Sequence, residues 1–301
     1  MSNGQTNEAP WTVGRLLEWT TKWFNDRQIE GGRLAAELLL ARAMGCKKIE
    51  LYTRYEAEPA EAQRTAFREL VRQAGQHTPI AYLLGTREFY SLEFTVTPAV
   101  LIPRPETEAI VERVIALCRS EPQRTWRLLD IGTGSGCIAV ALAKFVKNAS
   151  ITASDISEEA LTVAAGNIER HGVAERVQSV QADLAALPGD AVPEGGFDLI
   201  VSNPPYISAD VFRNLPPNVR DHEPKVALVG PEPNEDGLVI YRRLASEVPT
   251  ILASGGRLLV EVAHDQPQPV RDIFTSVAWT FEAAHRNRND VCDRVLEFSR
   301  S

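Results

Sequence analysis

No apolar run in this 301-residue sequence approaches the roughly 18 residues needed to span a bilayer, so no membrane segment is expected. Residues 1–7 lack the basic and apolar regions of a secretory signal, which points to a cytoplasmic protein. Cysteine is scarce. Cys46, Cys118, Cys137 and Cys292 stand apart with no CxxC pair, which argues against a disulfide framework and against the usual zinc spacings. The five histidines show no metal-ligand spacing, so no metal is expected. Positive charge is also in short supply. Residues 1–90 carry 12 basic and 11 acidic side chains, residues 91–301 carry 20 and 29, and the net charge is −8. Proteins that grip nucleic acid through its phosphates present a basic footprint, so bulk nucleic-acid binding is not expected. Internal repeats and low-complexity tracts are absent. What remains is an ordinary globular composition, 44% hydrophobic and 24% charged, in a chain long enough for two compact units.

Residues 1–85 read as helical throughout. Thr12 can cap a segment whose Val13, Leu16, Leu17, Trp19, Trp23 and Phe24 fall mostly on one face; Leu34 to Met44 follows, then a helix opened by Pro59. Each is short and one-sided, so together they predict a small bundle with Trp11, Trp19 and Trp23 in its core. Residues 86–105 change character. Phe89, Tyr90, Leu92, Phe94 and Val96 interleave with polar residues before Pro98, Pro103 and Pro105, which predicts a β-hairpin and linker. From residue 106 to 301, strand and helix patterns alternate and close with a hairpin formed by Trp279–Ala283 and Val291–Phe298. This is the signature of an α/β fold with an open, mostly parallel sheet covered on both faces. Residues 203–236 stand out, with seven prolines and little periodicity; a loop of that length in a compact domain is usually functional.

Three features carry chemistry. An apolar strand from Leu128 runs into Gly132-Thr133-Gly134-Ser135-Gly136 and then a helix, so the backbone can turn tightly and admit a ligand. The spacing is G-x-G-x-G; the dinucleotide pattern would need glycine where Cys137 stands. Asp155 ends the next strand, where a carboxylate accepts hydrogen bonds from ribose hydroxyls, or caps the helix that follows. These two features together suggest an adenosine-containing ligand at the carboxyl edge of the sheet. Asn203-Pro204-Pro205-Tyr206 directly follows the apolar strand Phe197–Ser202. Two prolines remove two N–H donors, which leaves carbonyls and the Asn203 amide oxygen to accept from a planar –NH2 group. Tyr206 can stack on that group. The plainer alternative is a proline-rich turn.

These residues resemble class I methyltransferases, which use S-adenosylmethionine to methylate planar amino nitrogens. The stretch from Phe94 through Pro103-Arg104-Pro105-Glu106-Thr107-Glu108 further resembles the bacterial release-factor glutamine methyltransferases. So do Glu223-Pro224 with Ala227-Leu228, and Asp236-Gly237-Leu238 with Tyr241 to Leu244. The resemblance covers roughly residues 10–298. It implies a Rossmann-like seven-stranded sheet behind a helical, substrate-docking domain of residues 1–85, with 86–105 as linker and 106–301 as the methyltransferase domain. It also implies class 1 peptide-chain release factors as partner and the glutamine of their Gly-Gly-Gln motif as target. Gly132 to Gly136 would wrap the methionine part of the cofactor and Asp155 its ribose. Asp183 would meet the adenine amino group beside Leu184, and Asn203 to Tyr206 would hold the target amide next to the cofactor. Leu184 departs from an often aromatic position, Pro231–Glu235 departs from a glycine-rich form, and the C-terminal hairpin, Asn287–Arg294, matches loosely. Adenine-N6 methylation of DNA or RNA shares the tetrapeptide, a ribosomal-protein glutamine is another possible target, and a non-catalytic binding module is the remaining rival. Arg104 and Glu106 either line the cofactor pocket or pair with each other, and Glu261 is undecided.

Overall fold

The computed structural model describes residues 10–232, 234–286 and 292–300. The chain divides into two compact units, residues 1–85 and 86–301. The first contains α1 (Val13–Asn25), α2 (Gly32–Met44), α3 (Lys48–Thr53), α4 (Glu61–Ala74) and α5 (Ile80–Leu84). Thr12 caps α1, its hydroxyl accepting the Arg15 N–H at 3.2 Å. Val13, Leu17 and Phe24 turn inward and are buried with Leu39 and Leu40 of α2. Helices as short as α3 and α5 are made by packing rather than by a local pattern, which is why the sequence does not announce them. Trp19 corrects the expectation of a tryptophan-rich core: it is 50% exposed. At about 100° per residue it falls roughly 120° from the Val13–Phe24 stripe. It stacks on Trp23 at 6.1 Å and meets Trp11 edge-on at 6.4 Å, while Trp11 and Trp23 are half-buried against the core.

The second unit opens with a hairpin, β1 (Thr86–Phe89) and β2 (Leu92–Thr95). The alternation over residues 89–96 does not make one strand. The chain folds back at Tyr90 and Ser91, whose φ angles are 50° and 59°. Two-residue hairpin turns need that conformation and usually signal it with Asn-Gly. Here the Tyr90 N–H is tied to the Glu108 carboxylate at 2.8 Å, a tertiary bond.

A 3₁₀ turn, Pro105–Thr107, leads into α6 (Glu108–Ser120). There follow β3 (Trp126–Ile131), α7 (Cys137–Phe145), β4 (Ala149–Asp155), α8 (Glu158–Arg170), β5 (Val177–Gln181) and β6 (Phe197–Ser202). The proline-rich stretch holds three short helices, α9 (Ala209–Arg213), α10 (Pro217–Arg220) and α11 (Lys225–Val229). The chain closes with α12 (Val239–Glu247), β7 (Leu252–Glu261), α13 (Pro267–Ser276), β8 (Thr280–His285) and β9 (Val295–Ser299). The closing hairpin is present, although residues 287–291, among them Val291 at the expected start of its second strand, lie outside the described residues.

The seven-stranded sheet runs β5-β4-β3-β6-β7-β9-β8, with β9 antiparallel to both neighbours and the other pairs parallel. Every residue of β6 is buried, as a parallel strand covered on both faces requires. From β3 the chain steps outward to β4 and β5 and then crosses back to β6 on the other side of β3, and such a switch point opens a crevice at the carboxyl ends of the strands. Away from that crevice, Glu297 of β9 is fully buried and gathers Arg113 of α6 at 2.7 Å, His285 of β8 at 2.8 Å and Arg257 of β7. Burial alone would raise its carboxyl, but the bonds from these partners outweigh it and hold the group well below the usual carboxylate range. Among the described residues no helix is long and apolar enough to cross a membrane.

Candidate active site

The crevice is lined by Gly132, Thr133, Gly134, Ser135, Asp155, Asp183, Leu184, Asn203 and Pro205 together with Arg104 and Thr107. Four strand ends (β3, β4, β5 and β6) thus deliver most of the sequence-selected residues to one wall. Gly136, Pro204 and Tyr206 do not line it. Gly136 sits at φ 78° where a Cβ would come within 3.3 Å of Ala164 of α8, so this glycine serves helix packing. Pro204 is buried, and Tyr206 is half-buried against the apolar cluster of Ile200, Leu258 and Phe274. Burial also raises the Tyr206 hydroxyl above its ordinary value.

The glycine loop is pinned from below. The N–H groups of Gly132 and Thr133 both donate to the Ser154 carbonyl, at 2.8 and 2.9 Å. Gly132 and Gly134 have φ of 73° and 55°, and a Cβ on either would meet no protein atom within 4 Å. The space left open there is a cradle that glycine leaves free for a ligand, so the loop fits the cofactor implied by the sequence. Asn167 of α8, fully buried, donates to the Ser135 carbonyl at 2.8 Å and to the Thr95 carbonyl at 3.0 Å, and accepts the Thr95 N–H at 2.8 Å. Nothing in its helical context marks it out in the sequence.

Asp155 is not the helix cap. Ser157 takes that place, its hydroxyl accepting the Ala160 N–H at 3.1 Å. Asp155 instead accepts the Gly134 N–H on Oδ2 at 2.9 Å and the Ser157 N–H on Oδ1 at 3.0 Å. Burial keeps its carboxyl above the ordinary value in spite of these bonds. Asp183 accepts from Arg243 of α12 at 3.0 Å, and Arg243 is braced in turn by Glu247 at 2.8 Å. Leu184, at φ 50°, lines the crevice and packs on the apolar cluster behind it.

Asn203 donates from Nδ2 to the Thr107 hydroxyl at 3.1 Å. Arg104 pairs with Glu223 of the proline-rich stretch, not with Glu106, while Glu223 also accepts the Ile102 N–H at 3.1 Å. Glu261 is buried at the end of β7, where its carbonyl accepts the Tyr241 hydroxyl at 2.7 Å. No cluster of metal-ligating side chains occurs among the described residues.

Asp130, beneath the loop, yields a pH prediction. Its Oδ2 accepts the Thr133 hydroxyl at 2.7 Å and the Ala139 N–H at 3.3 Å, yet full burial pushes the carboxyl up to about 7. In an unfolded chain it ionises near ~4. Its contribution to stability is therefore full below ~4 and lost as pH rises toward 7. Asp130→Asn keeps an acceptor for both bonds and cannot ionise. Thermal unfolding at pH 5 and pH 8 should show the variant gaining on the wild type at the higher pH. An equal difference at both values would contradict this account.

Two family models match the chain, the PrmC N-terminal domain over residues 15–85 and the methyltransferase small domain over residues 114–214. The release factor glutamine methyltransferase of Rhodopirellula baltica is 46% identical over 263 residues, covering 86% of each chain. That of Geobacter sulfurreducens is 40% identical over 286 residues, covering 95% of this chain and 96% of its own. A methyltransferase structure from Pyrococcus furiosus aligns with a TM-score of 0.50 at 21% identity, covering 80% of this chain and 99% of its own, a likeness of fold.

Proposed function

This chain belongs to the release factor glutamine methyltransferase family, and from that membership we propose that it methylates the side-chain amide nitrogen of the Gly-Gly-Gln glutamine in class 1 peptide-chain release factors, in the cytoplasm, with S-adenosylmethionine as donor. The observation that carries the reading is that Asn203 opens into the same crevice as the glycine loop and Asp155. A residue able to hold a planar amide thus stands beside residues able to hold a nucleoside.

In this reading Gly132 to Ser135 hold the methionine part of the cofactor, Asp155 the ribose, and Asp183 and Leu184 the adenine. When bound, S-adenosylmethionine supplies a methyl group on a positively charged sulfur. An amide nitrogen is a poor nucleophile because its lone pair is delocalised into the carbonyl. Asn203 Oδ1 and a carbonyl of the Pro204-Pro205 stretch accept the two N–H bonds of the target, drawing them aside and aiming the lone pair along the line of transfer. Orientation of this kind can supply ~7–11 kcal/mol of barrier lowering. The same oxygens stabilise the positive charge that grows on nitrogen. The alkylated amide loses its proton readily to solvent, so the chain need provide no strong base. Residues 1–85 dock the protein substrate, and the acidic balance of residues 91–301 disfavours nucleic acid as the alternative.

The test is transfer of labelled methyl to a purified class 1 release factor, to the same factor with the Gly-Gly-Gln glutamine changed to alanine, and to duplex DNA. Label in the intact factor alone is expected. Label in the alanine factor or in DNA would overturn the assignment.

A further inference from the structure

The segment that carries Asn203 leaves the sheet at Ser202, where its pairing with β3 and β7 ends. Beyond the sheet ladder, and among the described residues, no backbone–backbone hydrogen bond involves residues 204–206, and two of these three, Pro204 and Pro205, have no N–H to offer. What the ladder no longer holds, two buried side chains from distant parts of the chain hold instead. Thr107, 3% exposed, accepts the Asn203 side-chain N–H at 3.1 Å. Gln266, 9% exposed and just before α13, donates to the Tyr206 carbonyl at 3.0 Å and to the Gly237 carbonyl at 3.4 Å. Its own orientation is settled because Oε1 accepts the Ala263 N–H at 3.3 Å. The approach is close enough that a Cβ on Gly237 would lie 2.4 Å from the Tyr206 oxygen, so glycine is required there.

We propose that Thr107 and Gln266 are positioning residues, a two-point clamp that fixes the tetrapeptide at its first and last residues and so sets where Asn203 meets the target. The proposal rests on the reading of Asn203 as the residue that holds the target amide. Neither end is free to drift: the Asn203 side chain is held from the 3₁₀ turn, and the Tyr206 carbonyl is held from the turn between β7 and α13. The glycine loop and Asp155 are held by other bonds, to Ser154, Asn167 and the Ser157 N–H. Loss of the clamp is therefore expected to spare cofactor affinity and damage alignment, and a displacement of about 1 Å at a reacting group can cost ~100-fold in rate.

The experiment compares Thr107→Val, Thr107→Ser and Gln266→Leu with the wild type. The expected result is a kcat lowered ~10- to 100-fold in Thr107→Val and Gln266→Leu, with calorimetric cofactor affinity within about twofold of wild type and Thr107→Ser within about threefold in kcat. Wild-type kcat in both Thr107→Val and Gln266→Leu would overturn the proposal. So would cofactor affinity falling as far as kcat, or a Thr107→Ser variant as slow as Thr107→Val. Hydrogen exchange, which needs no turnover, supplies the second measurement. In Gln266→Leu the Ile207 amide, which donates to the Leu228 carbonyl at 3.0 Å, should exchange at least about tenfold faster while β6 and α8 are unchanged, and unchanged exchange at that amide would also overturn it. If the wild type leaves release factor unlabelled, the proposed function fails, and the exchange result still decides whether Gln266 anchors the segment.

Discussion

Asn203→Ala should lower kcat about a thousandfold while leaving affinity for S-adenosylmethionine within a few-fold of wild type. The side chain is expected to act on the transition state more than on the bound ground state, because the positive charge it faces develops only as the methyl group arrives. Removing one preorganised group of that kind from an enclosed site costs ~100- to 1,000-fold elsewhere in enzymology, and in the proposed function Asn203 also orients the target. The cofactor cradle stays intact because its bonds run to Ser154, Asn167 and Asp155. Single-turnover transfer measured beside calorimetric binding separates the two effects. A variant that transfers methyl groups at the normal rate would show the orientation account to be wrong.

The second large effect is expected at Asp155, and even a conservative change should be costly. Each carboxylate oxygen already accepts one backbone N–H, from Gly134 and from Ser157. Asparagine would turn its own NH2 toward one of those donors, leaving two donors face to face and the loop unpinned on that side. It would also replace the charged acceptor available to the ribose. Hydrogen bonds to a charged group are worth ~1.5–3 kcal/mol, so the loss of one or two of them predicts cofactor affinity weakened ~100-fold or more, since ~1.4 kcal/mol is a factor of ten. At saturating cofactor much of kcat should return. Calorimetry of Asp155→Asn tests this directly, and wild-type affinity would rule out both the ribose role and the loop clamp.

The cradle and the tetrapeptide were legible because each is a local event at a strand end. An apolar run stops, glycine, aspartate or Asn-Pro follows, and a helix or loop begins. Three such junctions, at Gly132, Asp155 and Asn203, support one another in the sequence and are found on one crevice. The alternating strand and helix pattern carried the sheet in the same way. Other readings stopped where the sequence offers equivalent choices. In isolation Asp155 reads equally as ribose acceptor or helix cap, and the structure gives the cap to Ser157. Arg104 reads as lining the pocket or pairing with Glu106; it lines the crevice, and its carboxylate partner is Glu223, 119 residues away. Trp19 shares a loose apolar stripe with Val13 and Phe24, yet lies too far around α1 to reach the core.

By itself, the sequence determined the two-part organisation of pattern, the α/β class, and the glycine, carboxylate and amide groups proposed to hold a nucleoside and a planar amide. Those follow from backbone freedom, side-chain chemistry and hydrophobic period, all of which act over a few residues. Only the tertiary structure decided what holds these groups in place. The turn at Tyr90-Ser91 depends on Glu108, the glycine loop on Asn167, Asn203 on Thr107 and the Tyr206 carbonyl on Gln266. The last two bonds span 96 and 60 residues. A threonine or a glutamine carries no local mark of such a duty, because its hydrogen bond acquires a partner only when the sheet brings the two segments together.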